Sequence, residues 1–163
     1  MNLSFDEWIV QQRWYAGRNR ELSSAAPAVV VSLRDDLDLV LLDVTYTEGA
    51  SERYQVIARW DAGPIEEYAD IATIGAEHDR TAYDALYNPA DAKYLLSLVD
   101  SSAEVGSTDD MVHFVKEPGV TLPVDAAPRV SSAEQSNSSV IFEEEPCSRC
   151  SAASPPAPIR TSN

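Results

Sequence analysis

Three β-patterned stretches crowded between Ala28 and Trp60 constrain this chain more than any other feature. Ala28-Val29-Val30-Val31-Ser32-Leu33 is rich in β-branched residues and reads as a strand, and Asp35-Asp36 after it reads as a turn. Leu39 to Thr47 reads as a second strand, Glu48-Gly49-Ala50-Ser51 as a short hairpin connection, and Glu52 to Trp60 as a returning third. Successive side chains on a strand point to opposite faces. On the second strand Leu42, Val44 and Tyr46 therefore oppose Leu41, Asp43 and Thr45, and on the third Tyr54, Val56 and Ala58 oppose Arg53, Gln55 and Ile57. Connections this short join only antiparallel neighbours. The pattern predicts a half-buried antiparallel meander whose apolar face needs a cover.

The N-terminus supplies one. Ser4 stands at an N-cap position with Glu7 three residues on, the spacing of a capping box, and Leu3 and Trp8 occupy the staple positions around it. Asp6 and Glu7 put negative charge at the positive end of the helix dipole. Phe5, Trp8, Ile9 and Gln12 share one helical face, and the helix is expected to run to about Gln12 or Arg13 before Gly17 ends it. Trp8 and Trp14 read as core anchors.

Beyond the meander, Gly63-Pro64 breaks the sheet, and a short helix is expected around Thr81 to Leu86. Asn88 then reads as the cap of another helix, with Pro89 at N1, Asp91 in the first turn, and Tyr94, Leu95, Leu98 and Val99 on its apolar face. Gly106 to Asp110 reads as a loop, Met111 to Lys116 as a strand, Pro118-Gly119 as a turn and Val120 to Val124 as extended chain. Pro128-Arg129-Val130 leads into a polar loop, Glu134-Gln135-Ser136-Asn137-Ser138, and then a strand from Ser139 to Phe142. No partner for that strand is expected after it, because Glu143-Glu144-Glu145 and a Pro/Ser-rich stretch follow. Segments of that composition bury too little apolar surface to offset their chain entropy, so the tail is expected to be disordered.

Charge narrows the function classes. With 27 acidic and 12 basic residues among 163, the formal charge is −15, which opposes binding to nucleic-acid phosphates or to anionic lipid. The longest apolar run, Leu39-Val40-Leu41-Leu42, is far short of the roughly 20 residues of a membrane span. Met1 to Glu7 has neither the basic nor the apolar region of a secretory signal, so a cytoplasmic location is expected. Cys147 and Cys150 form a C-x-x-C that in other contexts serves redox or zinc chemistry. Here His78 and His113 lie far upstream, no second ligand pair exists, and the two thiols read as incidental. The Glu143–Glu145 run reads as solvated surface.

Several runs resemble the bacterial maltokinases. Arg13-Trp14-Tyr15-Ala16-Gly17-Arg18-Asn19-Arg20-Glu21-Leu22 is similar to their N-terminal signature, as is Leu33 to Tyr46. Asp79 to Tyr87, Lys116-Glu117-Pro118-Gly119 and Glu134 to Phe142 follow in the same order, so the resemblance covers essentially Met1 to Phe142. It implies an α+β fold: an N-terminal helix packed on an antiparallel sheet, the cap, followed by an incomplete kinase-like N-lobe and the tail. The implied divisions are a cap over residues 1–88, the beginning of an ATP-side lobe over 89–142, and a tail over 143–163.

The intact family phosphorylates maltose with ATP and a divalent metal, Mg, giving maltose 1-phosphate for α-glucan synthesis. By resemblance, Gln135, Ser136, Asn137, Ser138 and Ser139 form the loop over the nucleotide phosphates. Small polar side chains there would leave backbone N–H groups free to approach a polyphosphate. Read without the family, the same residues also suit an ordinary turn before a strand. No catalytic or metal-ligating residue is assigned. Both lysines, Lys93 and Lys116, precede the loop, and the strand lysine, catalytic aspartate and metal ligands of such a kinase are not found.

The chain is therefore expected to be a non-catalytic N-terminal fragment that binds neither ATP nor Mg tightly. The alternative is a free-standing module that binds a protein or a glucan. Back-translated with permitted codons and read two bases later, the tail yields Gly-Ala-Leu-Leu-Lys-Val-Phe-Arg-Arg, which resembles the family's lysine-bearing strand. The tail from about Glu144 is accordingly expected to be a frameshift product. The sequence does not speak to oligomeric state.

Overall fold

The computed structural model describes residues 1–63, 66–130 and 139–143. Its centre is a five-stranded antiparallel sheet in the order β1-β2-β3-β5-β4, built from β1 (Leu22–Arg34), β2 (Leu37–Tyr46), β3 (Ser51–Trp60), β4 (Thr73–Glu77) and β5 (Arg80–Asp84). The expected meander forms its first three strands. Cα partners such as Val40↔Val56 and Leu42↔Tyr54 set the register, and Leu42, Val44 and Tyr46 point into the core while Leu41, Asp43 and Thr45 are half-buried. β1 begins six residues earlier than its β-branched run suggests (Leu22 against Ala28), passing through Pro27. A proline lacks the N–H a central strand must donate, and it is tolerated here because β1 is at the edge.

The helix α1 (Phe5–Ile9) covers one face of the sheet, as expected. Phe5, Trp8 and Ile9 join Val40, Leu42, Val44, Tyr46, Val56, Ala58 and Trp60 in one buried cluster, with Trp14 packed against its margin. The helix itself is shorter than its pattern implies, and the capping box does not form: Ser4 makes no side-chain bond to the helix start. Past Ile9 the chain continues in tighter turns, with Gln11 N–H bonding the Trp8 carbonyl and Gln12 N–H the Ile9 carbonyl. Gln12 explains the early stop. Its side chain is fully buried and its amide donates to the carbonyls of Trp8 and Ile71, at 3.2 and 3.1 Å. Gly17 lies within a 3-10 turn, Ala16–Asn19, rather than marking the end of the α-helix.

The region from Thr81 to Leu86 is not the expected helix. Residues 80–84 are β5, paired with β4, and only Ala85–Tyr87 form a 3-10 turn. Period two wins because Ala82 faces the core while Thr81 and Tyr83 are half-buried, and because His78 accepts the left-handed conformation (φ 57) the hairpin turn requires. A short helix α2 (Ala69–Ala72) leads into β4.

The sheet's second face is also buried at one end. Leu33, Leu37, Leu39, Ile57 and Ala85 form a second cluster, covered by Tyr94 and Leu95 of α3 (Pro89–Asp100) and by Val105, Val112 and Phe114. Ile57, on the polar face by alternation, is thus core. α3 starts as its sequence indicates: the Asn88 side chain accepts a 3.0 Å bond from Ala90 N–H, with Pro89 in the first turn. Val105 and Val112 belong to a hairpin of β6 (Glu104–Gly106) and β7 (Met111–His113), so the strand expected to reach Lys116 ends at His113. Residues 120–124 form no strand.

The last described pair corrects another expectation. β8 (Ala127–Val130) and β9 (Val140–Glu143) are antiparallel neighbours, with Val130↔Val140 and Pro128↔Phe142 as Cα partners. The strand after the polar loop was expected to lack a partner; its partner precedes the loop. The tail beyond residue 143, including Cys147 and Cys150, lies outside the described residues. Among the described residues no helix is long and apolar enough to cross a membrane.

Candidate functional site

Because Val130 pairs with Val140, the segment between them is the connection of a β-hairpin. Of the five candidate phosphate-loop residues only Ser139 is described, half-buried at the foot of β9. Gln135, Ser136, Asn137 and Ser138 lie outside the described residues. Neither lysine is idle. Lys116 Nζ donates to Asp100 Oδ1 at 2.7 Å, and Lys93 Nζ reaches the Asp125 carbonyl at 3.4 Å. His113 Nδ1 stands 3.0 Å from Glu104 Oε1 on the exposed β6–β7 hairpin. No group of three or more His, Cys, Asp or Glu that could hold a metal occurs among the described residues.

Three polar clusters were not legible beforehand. At the β2–β3 hairpin, the hydroxyls of Tyr46 and Tyr54 both donate to Glu52 Oε2, at 2.7 and 2.6 Å, and Arg20 donates to Glu52 Oε1 at 2.9 Å. The Tyr54 and Tyr46 hydroxyls hold the Glu52 carboxyl below its ordinary value, while burial pushes Tyr54 up to about 12. The Arg20 guanidinium also lies 3.6 Å from the Tyr46 ring centroid. Every strong acceptor here is already satisfied internally, so the cluster ties the 3-10 turn to the hairpin.

The second cluster joins the sheet to α3. Asp91, fully buried in the helix's first turn, receives Arg34 from β1 and Arg59 from β3 on the same oxygen. Asp36, in the turn between β1 and β2, holds the two guanidiniums from outside at 2.6 and 2.8 Å. The sequence places Asp91 only in the first turn of the helix. No local pattern ties it to Arg34 and Arg59, which are far from it in sequence.

The third is Asp84, at the end of β5. It is buried, and its Oδ1 accepts a 3.0 Å bond from Leu86 N–H, capping the 3-10 turn that leads to α3. Burial raises its carboxyl to about 7, against the opposing pull of that one bond.

The five-stranded sheet falls within a match to a family model, the maltokinase N-terminal cap domain, over residues 8–88, which begins inside the covering helix. This chain carries a maltokinase cap. The match takes in α1 from Trp8 onward, all five strands of the central sheet and the 3-10 turn before Asn88. The Arg20–Tyr46–Glu52–Tyr54 cluster and Asp84 therefore belong to the cap, and the Arg34–Asp36–Arg59–Asp91 cluster spans its end. The α+β fold expected from the resemblance, a helix on an antiparallel sheet, is the fold the cap adopts.

Proposed function

We propose that this chain is the N-terminal part of a maltokinase-type sugar kinase, in which the cap is a non-catalytic scaffold ahead of the nucleotide-binding lobe. The observation that carries this reading is the cap match over residues 8–88. The β8–β9 hairpin supports it further, since a small, polar connection between two antiparallel strands is where a phosphate-covering loop belongs in kinases. In this reading residues 135–139 cover the phosphates of ATP, maltose is the acceptor, and the setting is the cytoplasm. Both lysines are engaged within the fold, Lys93 at the Asp125 carbonyl and Lys116 at Asp100, and this reading places neither on the α/β-phosphates.

A coupled ADP-release assay tests this. No maltose-dependent turnover is expected from the chain itself, and turnover is expected once a kinase lobe is joined in frame after β9. Maltose-dependent turnover by the unaided chain would overturn the assignment of the cap as a scaffold. Reading the gene past the codon for Phe142 is the genetic counterpart. An open frame encoding a lysine-bearing strand is expected within the codons of the tail or beyond them.

A further inference from the structure

We propose that Asp91 latches α3 onto the cap sheet, and that the latched helix fixes the position of the paired strands β8 and β9.

The latch is a closed ring of two cations and two carboxylates. Arg34 ends β1, Asp36 lies in the β1–β2 turn and Arg59 sits near the end of β3, so the sheet contributes three of the four groups. α3 contributes only Asp91, whose side chain has no exposed surface, whereas Arg59 is 16% and Arg34 32% exposed. One turn further along the helix, the Tyr94 ring lies under the Arg34 guanidinium at 4.6 Å and its hydroxyl donates to the Leu33 carbonyl at 3.1 Å. Two successive points on α3 are thereby pinned to one end of β1.

Apolar contact alone would hold the helix without fixing its position, because burial is non-directional. The ring supplies direction. It is not optimised for stability: Asp91 Oδ2 and Arg59 Nε are buried with no hydrogen-bond partner. A buried ion pair left partly unsatisfied stabilises poorly compared with apolar side chains of the same volume. That combination fits a group that sets position rather than one that adds stability.

From the latch the contacts continue in one direction. α3 packs against β8, Lys93 of α3 reaches the Asp125 carbonyl just ahead of β8, and β8 pairs with β9. Cap sheet, latch, helix and hairpin form a continuous series of packed elements.

Hydrogen exchange on the full chain decides the matter, with Asp91→Asn and Tyr94→Phe compared to the unmodified protein. Asp91→Asn is expected to speed exchange of α3 and β8 amides at least ten-fold while leaving β2 and β3 unchanged. Tyr94→Phe, which loses only the bond to Leu33, should speed α3 a few-fold, and it decides the question if Asp91→Asn does not fold. Unchanged α3 exchange, or equal loss of protection in helix and sheet, would overturn the latch.

Discussion

Gly17 sits where a single added carbon has nowhere to go. A Cβ at this position would run into the hydroxyls of Tyr46 and Tyr15, and Tyr46 is both fully buried and committed to Glu52. Tyr46 cannot retreat without losing its bond to Glu52, and Tyr15 is buried with its ring against Tyr54. Gly17→Ala is expected to destabilise the protein by about 1–3 kcal/mol, as overpacking does in well-filled cores. A denaturant midpoint equal to the parent's would show that the rings move freely. Asp84 makes a different kind of prediction. Its folded-state value of about 7 lies above the roughly 3.9 of an unfolded aspartate, so the protonated form is favoured by folding. That contribution is complete below about pH 4, is lost as pH rises through about 7, and is flat above. Asp84→Asn can still accept from Leu86 and carries no charge. Its stability relative to the parent should therefore be near zero at about pH 4 and climb toward pH 7, bounded by about 4 kcal/mol. Thermal melts across that window measure it, and a difference independent of pH would remove Asp84 as the cause. Neither residue's role was written in its neighbours: Gly17 reads locally as a helix stop, and Asp84 as one of many acids.

Ser4 and Asn88 look alike as N-caps, and only one of them acts as a cap. Asn88 accepts from Ala90 N–H at 3.0 Å ahead of a twelve-residue helix, whereas Ser4 makes no side-chain cap bond to a helix of five. Asn88→Ala is expected to cost about 1 kcal/mol and Ser4→Ala a few tenths at most. Chemical denaturation of the two variants side by side provides the check, and a larger loss for Ser4→Ala would reverse the assignment. The contrast shows what the sequence could convey about elements. β1, β2 and β3 were readable because their alternation is carried by large residues such as Leu42, Val44, Tyr46 and Val56. β4 and β5 were not, because Gly75, Ala76 and Ala82 carry little side chain and Thr81-Ala82-Tyr83 fits a helix as readily as a strand. The length of α1 was overestimated because Gln12 satisfies carbonyls by its side chain, a long-range event that involves Ile71. The candidate loop was legible as small and polar before a strand. Its bracketing strand β8 was not, since Ala127-Pro128-Arg129-Val130 has only one β-branched residue.

At the scale of the molecule, the family match and the packing divide the chain differently. The match ends at residue 88, yet the second core does not close there. Leu33, Leu37, Leu39 and Ile57 of the cap are covered by Tyr94, Leu95, Val105, Val112 and Phe114, all of which come later in the chain. A chain cut after Asn88 would leave those four side chains facing water and would strip Arg34 and Arg59 of the Asp91 carboxylate. Each large apolar side chain left exposed forfeits about 1.5–3 kcal/mol, so four of them amount to much of the stability a small domain has. A chain cut after Lys116 keeps the second core, the ion ring and the Lys116–Asp100 pair. The 1–116 chain is expected to unfold cooperatively as a monomer. The 1–88 chain is expected to self-associate or to unfold with a shallow, non-cooperative urea dependence. Urea titrations with sedimentation on the two chains separate these outcomes. Should 1–88 unfold as a cooperative monomer at the midpoint of 1–116, the sheet's second face would not need the helix and hairpin that cover it, and the folding unit would end where the family match does.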